Sequence, residues 1–213
     1  MAALVTLAEG RPDGAEAPAG VVDGRSLRRR NSFERAVDAL LDLIERGNPA
    51  PTAQQIADHA AMSVRTVFRL TADLESLHAA AVQRQMERTA HLYDMPLPTA
   101  GSLRTRIRAL LAHRVRVLET IAPVRRVAAR LAGESPRIAE GLELQHLLLR
   151  TQVAEVFEPE LSRLPRSRRL DALHAADVAA GWETWDQLRR TVGLPVAESV
   201  RVVTLLLEGA LRT

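Results

Sequence analysis

Residues 51 to 70 read PTAQQIADHAAMSVRTVFRL, and their spacing decides the fold. Thr52 can cap a short helix whose inward residues are Ile56 and the small Ala57. Ala60, Ala61 and Met62 make a tight corner, and Ser63 can cap a second short helix that carries Val67 inward. The small side chain of Ala57 lets the two helices approach closely, while Met62 plugs the corner. The second helix then presents Val64, Arg65, Thr66 and Arg69 outward. This is the grammar of a helix-turn-helix, whose second helix can enter a major groove with its N-terminal residues at base edges.

Upstream, Phe33, Ala36, Val37, Leu40, Leu41 and Ile44 recur at helical spacing, and Gly47 stops the run. Just before it lie Arg25, Arg28, Arg29 and Arg30. Two readings stand for this cluster: a solvated charge run, or an arm that contacts phosphates or the minor groove. Residues 1–24 are rich in Ala, Gly and Pro, carry scattered acids and show no apolar period, as a disordered tail would. Downstream, a helix is expected from about Asp73 to Tyr93, with Pro96 and Pro98 breaking the pattern after it. No stretch alternates as a strand does, and aromatics are only 3% of residues, so the expectation is an all-α protein. It divides into a tail (1–24), a three-helix helix-turn-helix unit (25–80) and a larger helical unit (81–213).

Composition narrows the function classes. With 213 residues, 46% hydrophobic and 26% charged, the chain can bury a sizeable core. The absence of cysteine excludes disulfides, thiolate catalysis and cysteine-ligated metals. All 29 basic residues are arginine, which lifts the sequence pI to 10.6, yet the net charge is only +3 and does not by itself call for a polyanion. The longest strongly apolar run, Val202 to Leu207, is far shorter than the ~18 to 20 residues of a membrane span. The N-terminal residues lack a basic region followed by an apolar stretch, so a cytoplasmic location is expected.

In the larger unit, polar residues stand inside apolar stripes. Arg114 lies at the centre of Ile107, Leu110, Leu111, Leu118 and Ile121. Gln145 and Gln152 fall among Ile138, Leu142, Leu149, Val153 and Val156, and His174 and Asp177 among Leu170, Leu173, Trp185 and Leu188. Polar groups converging in an apolar cage describe a small-molecule effector pocket. The plainer alternative pairs Arg114 with Asp177 or with another carboxylate that the spacing does not identify, and satisfies the glutamines through backbone or water. The last helix, Val196 to Arg212, is apolar on nearly all sides and calls for a second surface, which points to a homodimer. Gly181, in line with the preceding stripe, is expected to allow a close helix approach.

Other chemistry is weakly signalled. Glu75 with His78 and Glu143 with His146 are the spacing of half a di-iron site, and Asp171, His174 and Asp177 step as metal ligands can. Surface or core pairing accounts for both more simply. No glycine-rich phosphate loop, zinc-protease helix or nucleophile elbow occurs. No enzyme activity, cofactor or metal is expected.

Across about residues 31–80 the chain resembles the TetR family of transcriptional regulators. The family pattern is matched by Thr52, Ile56-Ala57, Ala60-Ala61-Met62-Ser63, Thr66-Val67-Phe68 and Glu75 with Leu77. The resemblance implies base contacts from Gln54, Val64, Arg65 and Thr66, and phosphate contacts near Ala53 and Phe68. With Ser63, Arg69 and the Arg28, Arg29, Arg30 cluster, these form the candidate DNA-binding set. The chain departs from the pattern at several positions. Ala61 replaces the corner glycine, Phe68 lacks a tyrosine hydroxyl, Leu74 replaces a lysine, and Leu70 and Thr71 replace an aromatic pair. The resemblance implies a homodimer that binds a palindromic operator in double-stranded DNA, acts as a repressor and is released by a small-molecule effector, for which the stripes offer Arg114, Gln145, Gln152, His174 and Asp177 as the candidate pocket residues. Two other classes stay open: an all-helical enzyme or metal protein with a degenerate helix-turn-helix, and a helical module that binds protein.

Overall fold

The computed structural model describes residues 24–70, 74–94 and 96–212. The tail expected over residues 1–24 therefore lies outside the described residues except for its last position. Within them the chain is helical throughout, with no strand. The elements are α1 (Gly24–Glu45), α2 (Ala53–His59), α3 (Val64–Leu70), α4 (Leu74–Tyr93), α5 (Leu103–Leu131), α6 (Pro136–Val156), α7 (Glu158–Leu161), α8 (Arg166–Ala180), α9 (Trp182–Asp186), a π-helical turn (Gln187–Thr191) and α10 (Val196–Leu211).

Serines and prolines set the boundaries. Ser102 accepts from the Thr105 amide to start α5, and Ser135 accepts from the Ile138 amide to start α6, where Pro136 occupies the first turn. Gly101, at φ 95°, supplies the left-handed turn into α5. Pro123 stands inside α5, where its missing N–H leaves the Glu119 carbonyl without its helical donor.

Two apolar cores meet along α4. The first joins Leu40, Leu41 and Ile44 of α1, Ile56 of α2, Val67 of α3 and Leu77 of α4 to Val124, Val127 and Ala128 of α5 and Ile138 of α6. The second is built from the earlier part of α5, the end of α6, and α7 to α10, with Phe157 and Leu207 fully buried. Leu92 and Tyr93, at the far end of α4, pack against this second core. The division at residue 80 thus falls within one continuous helix. Arg130 of α5 also donates to the Pro49 carbonyl at 3.1 Å, and Ser135 donates to Glu75 at 2.7 Å.

Three expectations are corrected, at α1, Gly181 and Leu170. The first helix begins at Gly24, upstream of Asn31, so Arg25 to Arg30 are helical and exposed and do not form an extended arm. Gly181 does not sit within a helix. It breaks the stripe expected to run from Leu170 to Leu188, at an extended ψ of 170°, where a Cβ would lie 3.0 Å from the Asp177 carbonyl. Leu170 is 61% exposed and leaves the stripe to which its spacing assigned it. Helix α10 buries only the line Ser199, Val203, Leu207 and Leu211 in the single chain, leaving Leu205 68% exposed and Leu206 also exposed.

Candidate nucleic-acid interface and buried polar site

The helix-turn-helix forms as its spacing predicts. Thr52 and Gln55 make a reciprocal capping box at α2: the Gln55 amide donates to Thr52 Oγ1 at 3.2 Å and the Thr52 amide to Gln55 Oε1 at 2.9 Å. Ser63 accepts from the Thr66 amide at 3.2 Å to start α3. Ala57 and Val67 are fully buried at the crossing of the two helices. Ala61 takes the left-handed conformation, φ 49°, that its place in the corner requires. A group the sequence did not single out holds this corner. Arg35 of α1 donates to the carbonyls of both Ala60 and Ala61.

This scaffold presents Arg65, Phe68 and Arg69 on the exposed side of α3, with Phe68 63% exposed. Val64 and Thr66 are half-buried, and the Ser63 hydroxyl lies 2.8 Å from that of Thr66. Gln54 is exposed on α2 and donates to Asp58 at 2.7 Å. Arg28 is exposed nearby in sequence on α1, while Arg29, Arg30 and Arg137 border an open groove beside Phe33 and Leu70. Thr71 and the side chain of Leu74 lie outside the described residues. An exposed aromatic flanked by two arginines on a capped short helix is chemically suited to lie on a polyanion.

The interior of the larger unit holds a row of buried polar groups. Arg114, 1% exposed, donates at 2.6 Å to both Gln152 Oε1 and the Leu149 carbonyl. The expected alternative partner, Asp177, is buried too but accepts from Arg150 at 2.7 Å and lies 3.4 Å from His146. The Arg114–Asp177 pair therefore does not form. Burial pushes the Arg114 pKa down to about 10, against the opposing pull of Tyr93 and Asp177. Gln145 sits earlier on α6 and accepts from Arg125 at 3.2 Å. His174 is exposed on α8, so the structure brings Gln145, Gln152, Arg114 and Asp177 into the interior but leaves His174 outside.

Arg125, Tyr93 and Gln85 belong to this interior as well, and the sequence reading passed over them. Arg125 was legible, because Arg114, Leu118, Ile121 and Arg125 step by four, three and four along one face of α5. Its guanidinium reaches the Leu142 carbonyl at 3.3 Å, Gln145 at 3.2 Å and Glu183 at 3.4 Å, and lies 6.0 Å from the Trp182 ring centre. The Tyr93 hydroxyl is buried with no hydrogen-bond partner, and burial raises its pKa to about 12 despite the neighbouring Gln145, Arg125 and Arg114.

No family model and no curated protein matches the chain. Among solved structures, it is similar to a TetR-family transcriptional regulator from Streptomyces coelicolor, with a TM-score of 0.60, 19% sequence identity and coverage of 83% of this chain and 79% of that one. At that identity the likeness shows a shared fold: an all-helical chain with a helix-turn-helix ahead of a larger helical unit.

Proposed function

We propose that the protein is a one-component transcriptional regulator that reads a palindromic DNA operator as a homodimer. The observation that carries this reading is α3, a Ser63-capped helix with Arg65, Phe68 and Arg69 exposed and its inner face locked on Val67. Arg65 reads a base, since a guanidinium can bond guanine through two donors. Phe68, Arg69 and the exposed Arg28 to Arg30 turn supply backbone contact. The exposed leucines of α10 support a dimer, because burying a Leu side chain contributes about 1.5 to 3 kcal/mol and Leu205 and Leu206 bury little within one chain.

The placement of α4 supports repression relieved by an effector. One side of this helix carries Arg84, which donates to Asp38 at 2.7 Å, and Arg88, which donates to Asp38 at 2.9 Å, tying it to α1 of the DNA-reading unit. Another carries Val82, Gln85 and Met86 into the interior of the larger unit. A ligand that displaces α4 shifts the DNA-reading units, and two recognition helices must keep a spacing of about 34 Å to meet successive major grooves. Nothing in this reading requires catalysis or a cofactor. It suits a cytoplasmic protein, and no described helix is long and apolar enough to cross a membrane.

The test is selection from a random duplex library by the purified chain at near-physiological salt. An enriched inverted repeat supports DNA reading and two-fold symmetry together. A folded dimer that enriches no sequence sinks the regulator reading.

A further inference from the structure

Three spaces lie in series along α4 and α6. An open pocket of about 290 Å³ beside Pro96, Leu97 and Gln152 is bounded inward by Tyr93. Tyr93 also lines a small space of about 10 Å³ with Met86, Ala90, Gln145 and Leu148. Met86 and Gln145 in turn border a second small space of about 20 Å³ lined by Gln85, Arg125, Val82 and Ile121. Each of these small spaces has room for about one water. Tyr93 is common to the first two linings, and Met86 and Gln145 are common to the last two. Met86 is unbranched and turns at little cost, and it faces Gly141, whose missing side chain leaves its sulfur 3.5 Å from where a Cβ would stand.

The polar atoms around these spaces are poorly satisfied. Gln85 Oε1, Tyr93 Oη and Arg125 Nε are buried without any hydrogen-bond partner. The side chain of Arg125 is 8% exposed, and its bonds of 3.2 to 3.4 Å are long for a guanidinium. Its nearest carboxylate, Glu183, is 76% exposed, so water screens that pair. A buried cation whose only carboxylate partner is screened, close enough to the buried Tyr93 hydroxyl to act on it electrostatically, favours an anion between them. The remaining walls are aliphatic, from Val82, Met86, Ile121 and Leu148.

We infer that the interior site takes an amphiphilic carboxylate, its anionic head held by Arg125 and the Tyr93 hydroxyl and its aliphatic body lying along α4 where Met86 now stands. The inference rests on the proposed effector function and names the ligand class. The ligand enters through the pocket at Pro96 and Leu97, passes Tyr93 and displaces Met86. It replaces Glu183 as the counter-charge of Arg125. Because the body lies against Val82 and Met86, its binding pushes on the helix that Arg84 and Arg88 tie to α1.

The experiment is calorimetry on the full chain with octanoate and with octanamide, which share a hydrocarbon body and differ in charge. Octanoate is expected to bind at one site per chain at least tenfold more tightly than octanamide. Arg125→Met should abolish that preference while amide binding and the helical circular dichroism persist. A purely structural arginine would lower the melting temperature and leave the acid-to-amide ratio unchanged. Equal binding of acid and amide, no binding of either, or a preference that survives Arg125→Met overturns the inference. The effector reading itself fails separately, if no compound in a neutral and charged library releases the selected duplex.

Discussion

Arg35 of α1 donates to the carbonyl of Ala61 at 3.0 Å, and Ala61 is the residue that the helix-turn-helix corner holds at φ 49°. A left-handed alanine is disfavoured by about 1 to 2 kcal/mol, so the corner needs a second hold. Arg35→Ala should lower stability by about 1 kcal/mol, as loss of a partly exposed charged hydrogen bond does. It should also weaken duplex binding, although Arg35 is engaged with the corner. Ala61→Gly should hold or raise the urea midpoint. An unchanged midpoint in Arg35→Ala, with unchanged duplex affinity, would show that the corner holds itself.

Arg65 and Phe68 stand on one exposed surface but should fail differently. Arg65→Ala is expected to relax discrimination at one operator position by about 1 to 3 kcal/mol and leave non-specific binding nearly intact. Phe68→Tyr adds a hydroxyl at a 63% exposed ring and should tighten all duplexes alike, by about 1 kcal/mol for a hydrogen bond to phosphate. Competition binding against operator and scrambled duplexes separates the two. Equal loss on every duplex from Arg65→Ala would remove it as a base reader.

Tyr93 is the single tyrosine of the chain, so its ionisation can be followed alone by ultraviolet absorbance. Burial raises its pKa to about 12 from the usual 10. Between those values the unfolded chain has released this proton and the folded chain has kept it. Stability from this group is therefore complete below about pH 10 and is lost as pH rises toward 12, by about 2 to 3 kcal/mol in all. Tyr93→Phe should flatten that alkaline slope. A tyrosinate midpoint near 10 in the folded protein would contradict its buried placement.

Arg114 and Gln152 should be strongly coupled, since the guanidinium meets Gln152 at 2.6 Å and pairs with no carboxylate among the described residues. Gln152→Leu strips a buried charge of an acceptor and should cost about 2 to 4 kcal/mol. Arg114→Met strands the Gln152 and Leu149 oxygens and should cost about 1 to 3 kcal/mol for each group left unsatisfied. The double variant should fall short of the sum by about 1 to 2 kcal/mol in denaturant titrations. Additive losses would mean that the two residues act independently.

What the sequence by itself determined is local. The caps at Thr52 and Ser63, the small Ala57 at the helix crossing, the strained Ala61 and the burial of Arg114 all follow from spacing within a few turns of chain, because a helix period brings residues three and four apart onto one face. What depends on partners distant in sequence was decided only by the tertiary structure. Asp177 and Arg114 share the interior, but Arg150 takes the carboxylate and Gln152 the guanidinium. His174 and Leu170 occupy a stripe on paper, but both face solvent on α8, and Gly181 ends that helix before Trp185 and Leu188 can continue the stripe. Arg35 reaches the corner across 26 residues, and Arg125, Tyr93 and Gln145 come together from three helices. Periodicity tells which residues go inside. Which buried group meets which depends on how the helices cross, and the fold chooses those crossings from the packing of all of them at once.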